Sequence, residues 1–153
     1  MKCNDIYRSG HDLSMYKEII DMHRKHDNLE ALFEKEAFFK LMYETLEKWN
    51  MNQKGARLIP FDDFKRSLRF WKDCLVKLYQ YKLHEDNDNE IRTINEMLEK
   101  VFINIKVMQS KRRIVGVSKA LHFLLPDLIM PIDGKYTLPA IYEYNKYSSS
   151  PER

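Results

Sequence analysis

At 153 residues the chain has the size of one domain, and an apolar content of 44% is enough to bury a core, which excludes a disordered polymer. Its 4 glycines and 5 prolines are too few to punctuate many hairpins, so the composition points to an all-α single compact domain without significant sheet. A net charge of +3 and a pI near 8.7 are too mild to specify a nucleic-acid or membrane partner from the total alone.

The first helix is expected from an N-cap at Asp12 or Ser14, carrying Leu13, Tyr16, Ile19 and Ile20 and fading near Asp27. His23 and His26 share one side of it, and their expected place is a solvated polar end, since nothing nearby completes a metal site. Over residues 28–50 Leu29, Leu32, Phe33, Ala37, Phe38, Leu41, Met42, Leu46 and Trp49 recur at helical spacing, predicting one amphipathic helix. Gly55 and Pro60 then mark a loop, from which Arg57 either points into a polar site or, on the plainer reading, is a surface arginine. Phe61, Phe64, Leu68, Trp71, Leu75, Leu78 and Tyr79 predict a helix ending near Leu83, with its aromatic stripe in the core. After a polar loop over residues 84–89, Asn87 and Glu90 form a start of capping-box type. Ile91, Ile94, Leu98, Val101, Phe102 and Ile105 then carry the helix to about Gln109. The whole is about five to seven helices, with residues 1–147 as one domain and 148–153 as a tail.

Residues 111–138 gather the chemistry. No acidic residue stands between Glu99 and Asp127, while Lys100, Lys106, Lys111, Arg112, Arg113 and Lys119 all do, so this run is a candidate anion-facing surface; a solvated basic helix face is the plainer reading. Gly116 is expected to make a tight turn and Ser118 to cap a helix over residues 119–125, ended by Pro126. Pro126 and Pro131 bracket an apolar stretch expected to be a buried loop, and Asp133 follows as the cap of a last helix near Pro139. For Lys119 and His122 two placements stay open: a functional site shared with Asp133, or a solvent-side lysine and a core histidine bonded to a carbonyl. Two cysteines, Cys3 and Cys74, suit a reducing compartment, no cofactor is indicated, and no stretch approaches the ~18 apolar residues of a membrane span; the expected location is cytoplasmic.

The segment GVSKALHFLLPDLIMPIDGKYTL resembles a motif of small uncharacterised prokaryotic proteins, in which Ser-Lys-x-Leu-His is followed by Leu-Pro and Pro-Ile-Asp; LEKWNMNQKGARLIPFDDF resembles the segment that accompanies it. More distantly, Val115, Gly116, Val117, Ser118, Lys119 and Ala120 are similar to the second half of the hairpin in helix-hairpin-helix DNA glycosylases, with Ser118 where the second hairpin glycine is expected and Lys119 closer to Asp133 than is usual. That resemblance implies a lyase lysine at Lys119 and an aspartate at Asp133 that stabilises charge on a sugar. It also implies amides near Gly116 on a phosphate, and a stacking wall at Trp49 or Trp71 for an extruded base. Desolvation against Leu121, Phe123 and Leu124 would favour the neutral, nucleophilic amine of Lys119. Two functions are therefore expected to compete. One is a nucleic-acid binder with Lys106, Lys111, Arg112, Arg113, Gly116 and Ser118 on phosphate, and Lys119, His122 and Asp133 as the catalytic set of its base-excision version. The other is a non-catalytic interaction or regulatory module.

Overall fold

The computed structural model describes residues 10–26, 28–52, 55–82, 88–109 and 113–132; Lys111, Arg112, Asp133, the expected last helix, the Asn87 cap and the tail at 148–153 lie outside the described residues. The apolar periodicities become helices α1 (Gly10–Lys25), α2 (Leu29–Phe33), α3 (Glu36–Lys48), α4 (Phe61–Phe70), α5 (Lys72–Leu78), α6 (Asp88–Asn104) and α7 (Ile114–Leu124). The domain is single, compact and all-helical, and among the described residues β pairing is confined to one antiparallel bridge between Leu58 and Met108.

Both long predicted helices are broken in two. Lys35 takes an extended conformation (φ −98°, ψ 112°) between α2 and α3, and Trp71 (φ −96°, ψ 9°) separates α4 from α5. A straight helix presents one stripe to one neighbour, whereas the bend lets α2, with Leu29, Leu32 and Phe33 buried, pack toward α5 while α3, with Phe38, Phe39, Met42 and Leu46 buried, packs on α1 and α7. Asn28 starts α2 as its cap, accepting the Ala31 amide at 2.8 Å. The third prediction of length also changes: α6 stops at Asn104, because residues 105–109 leave the helix to pair with the loop before α4. Ile59 N donates to Val107 O at 3.0 Å and Gln109 N to Arg57 O at 2.8 Å, so the exposed Arg57 contributes its backbone to the fold.

The central element is α7, which packs against α1, α3 and α6 and is buried at every position from Gly116 to Leu124. It begins at Ile114, five residues before the helix expected from Lys119, which corrects three readings. Gly116 lies inside the first turn and makes no hairpin, Ser118 is one turn further in and does not cap the helix, and Arg113 occupies the cap position. All six residues that resemble a hairpin half are consecutive residues of α7. A glycine is needed at 116 for a different reason than a turn: a Cβ there would stand 2.6 Å from Met108 Cγ, far inside van der Waals contact.

The Met108 contact sets a measurable cost. Gly116→Ala gains about 1 kcal/mol of helix propensity but forces the buried Met108 side chain aside, an overpacking cost of about 1–3 kcal/mol. The expected net result in urea denaturation is destabilisation, and in a Met108→Ala background the same substitution becomes neutral or stabilising; equal effects in both backgrounds would contradict the close approach.

Candidate functional site

Burial of α7 places three polar side chains where water cannot satisfy them. Ser118 is 0% exposed, Lys119 9% and His122 8%, and Ser118 and His122, four residues apart, share one helical face. That face is covered by residues 125–132, the buried loop expected between the prolines, with Leu128 and Ile129 buried and Met130 outside. Ser118 Oγ donates to Val115 O and accepts the Ile132 amide, both at 2.9 Å. His122 Nδ1 lies 2.6 Å from Ile129 O, and because a carbonyl only accepts, Nδ1 carries the proton and Nε2 accepts from the Tyr16 hydroxyl at 2.8 Å. Burial lowers the pKa of His122 below its ordinary 6.5, opposed by the bond to Ile129.

Lys119 turns to the other side of the cluster. Its Nζ reaches Trp49 O at 3.5 Å and lies 5.4 Å from the centre of the Trp49 ring. Trp49 ends α3 and packs edge-on to Phe123 with centroids 5.0 Å apart, and Tyr16 stacks on His122 at 5.5 Å. Lys119 and His122 thus take different partners, Trp49 and Tyr16, whose ring centroids lie 5.8 Å apart where α1, α3 and α7 converge; a solvent-side placement for Lys119 is excluded by its burial. Both His122 nitrogens are occupied within the fold, so general acid–base work there requires breaking one of these bonds first.

A second histidine repeats the pattern, and the sequence placed it wrongly. His23 is not a solvated end: it is 9% exposed, its Nε2 donates to Phe123 O at 2.7 Å, and its Nδ1 accepts from the Tyr79 hydroxyl at 3.1 Å. The Phe123 carbonyl is one of the last four of α7, which lack partners within the helix, so His23 serves as the cap of the buried helix. Desolvation lowers its pKa, against the raising influence of the Phe123 bond and of Asp127. The available signal was the position of His23, four residues after Ile19 on the apolar side of α1.

Of the other basic candidates, Arg113 and Lys106 are among the described residues. Arg113 donates to Ile103 O and so satisfies a carbonyl in the last turn of α6. Lys106 is exposed, its backbone N–H donating to Ser67 Oγ at 2.7 Å, and it lines an open groove of about 600 Å³ with Ile59, Pro60, Asp63, Arg66, Ser67, Phe70, Trp71 and Asn104. Trp71 is thereby on a groove wall, whereas Trp49 belongs to the Lys119 cluster. Sequence reasoning missed Phe70 and Arg66. The signal for Phe70 was a large ring directly beside Trp71, out of phase with the apolar stripe of its helix. Among the described residues no helix is long and apolar enough to cross a membrane.

Comparison of the chain with protein-family models, with curated proteins and with solved structures finds no match.

Two outcomes follow from the cluster. Ser118→Ala leaves the Ile132 amide without its partner and is expected to cost about 1–3 kcal/mol, read as a lower urea midpoint and faster exchange of that amide; an unchanged exchange rate would remove the clamp. His23 and His122 have folded pKa values below those of the unfolded chain, so the unfolded state binds protons first as pH falls. Their stabilisation is therefore complete above about 6.5 and is lost as pH drops from there toward the folded values. The urea midpoint should decline over that window, and the His23→Gln/His122→Gln double variant should be weaker at neutral pH with a flatter profile.

Proposed function

We propose that the protein binds nucleic acid through the basic segment joining α6 to α7, with Lys106, Lys111, Arg112 and Arg113 on backbone phosphates. The observation that carries this reading is the separation of charge: no acidic residue stands between Glu99 and Asp127, and just past the end of α6, between the buried Ile105 and Val107, Lys106 is exposed on an open groove that Arg66 also lines. Phosphate recognition needs accessible cations on one side of a rigid support, and the Leu58–Met108 bridge and the Lys106–Ser67 bond supply that support. A cytoplasmic location, where nucleic acid is accessible, belongs to the same proposal.

The mode differs from the glycosylase hairpin. Gly116 and Ser118 are buried in α7, with the Ser118 hydroxyl committed to Val115 and Ile132, so they are assigned to packing and the phosphate contacts to the residues before them. No chemical step is part of the proposal, since the Lys119 amine sits against Trp49 and His122 is held at both nitrogens. Borohydride trapping on abasic DNA tests the catalytic version: an adduct lost in Lys119→Ala would add a lyase step, and one that survives would acquit this lysine.

Binding of labelled oligonucleotides, followed by anisotropy across salt concentrations, checks the proposal. Affinity should fall linearly on logarithmic axes as counterions compete for phosphate. Lys106→Ala should weaken binding to all sequences alike and reduce the salt slope by about 1. Absence of binding at low salt would overturn the reading.

A further inference from the structure

We infer that the groove between α4 and residues 104–106 is a site for an unpaired, anionic nucleotide strand, with a base stacked on Phe70. The inference rests on the nucleic-acid reading above and deepens it by naming the form of the partner. Phe70 is 81% exposed, whereas Phe33, Phe38, Phe39, Phe64 and Phe123 are essentially inaccessible, so the chain buries these phenylalanines and leaves this one in water at the rim of a groove. Its ring meets that of Trp71 nearly edge-on, with centroids 5.7 Å apart and planes at 76°, which makes a two-walled aromatic corner.

The polar lining suits a nucleotide in both charge and hydrogen bonding. Arg66 and Lys106 stand on the groove, and the one carboxylate there, Asp63, is paired with Arg66 at 3.1 Å in a solvent-exposed contact that a phosphate can replace at little cost. Ser67 Oγ accepts the Lys106 amide, leaving its hydroxyl hydrogen to donate, and Asn104 spends its amide nitrogen on Lys100 O at 2.8 Å, leaving its oxygen to accept. A donor and an acceptor beside an aromatic wall match the edge of a base, and the cations match its phosphate. A base inside a duplex keeps both faces stacked and cannot reach the corner, so the geometry selects an unpaired one. An acidic peptide would use the cations but would gain nothing from the stacking face, which is why the nucleotide is the better occupant.

The test compares the intact protein and its variants on a single-stranded oligonucleotide and on a blunt duplex of the same sequence, with polyglutamate as a competitor. Tighter binding of the single strand is expected. Phe70→Ala should cost at least about fivefold on the single strand and leave duplex binding unchanged, with Phe70→Trp restoring the difference. Phe70 is 81% exposed, so its truncation removes little buried contact, and circular dichroism verifies that the variant is folded. Equal affinity for both forms, a silent Phe70→Ala, or displacement by polyglutamate at equal charge concentration would overturn the inference while leaving a general phosphate-binding surface standing. Failure to bind either form would instead remove the proposed function itself.

Discussion

Burying α7 over residues 116–124 obliges every polar group on it to find a partner inside the protein, and the surrounding fold is arranged to supply them. An unpaired polar group in that setting costs more than its hydrogen bond contributes, so the partners come from distant parts of the chain: Tyr16 and His23 from α1, the Trp49 carbonyl from the end of α3, and the Ile129 carbonyl and Ile132 amide from the following loop. Among the described residues no buried side-chain nitrogen or oxygen is left without a partner. The helix therefore does not merely fill the core; it sets the position of α1, the end of α3 and the loop at 125–132.

The two histidines show why such residues recur in an interior. Each accepts from a tyrosine hydroxyl and donates to a backbone carbonyl, which uses both ring nitrogens of the neutral ring; protonation keeps the bond to the carbonyl but turns the accepting nitrogen into a donor facing the tyrosine hydroxyl. Each also stacks on its tyrosine, at 5.5 Å for His122 on Tyr16 and 5.6 Å for His23 on Tyr79, so the ring contributes apolar contact as well as hydrogen bonds. A residue pattern that resembles a catalytic constellation can thus be fully used in holding a helix. Among the described residues an open groove lies elsewhere, lined by residues of α4 together with Ile59, Asn104 and Lys106.

Much of the helical content was legible because apolar spacing is a local property of each segment. What spacing does not carry is the direction of neighbouring elements. Lys35 and Trp71 interrupt helices whose sequences read as continuous, because bending lets the two halves face different partners. Gly116 reads locally as a turn, yet it is a helical residue whose missing Cβ makes room for Met108. His23 reads as polar and therefore exposed, and only the arrival of Phe123 and Tyr79, 100 and 56 residues away in sequence, makes its burial affordable. Of the candidate site, the place of Lys119 and His122 on one helix followed from local sequence, while Lys106 joined Arg66 and Phe70 only through the pairing of two loops.

By itself, then, the sequence determined that the chain is an all-α domain and that its positive charge is concentrated between Glu99 and Asp127, since composition, periodicity and charge order are properties of neighbours along the chain. Tertiary structure alone decided which polar residues are interior and which face solvent. It placed Ser118, His122 and His23 against partners that only a folded chain brings near, and it left Phe70 exposed beside Lys106. The physical reason is that the cost of burying a polar group is set by whether a donor or acceptor meets it in space, a quantity with no counterpart in local sequence.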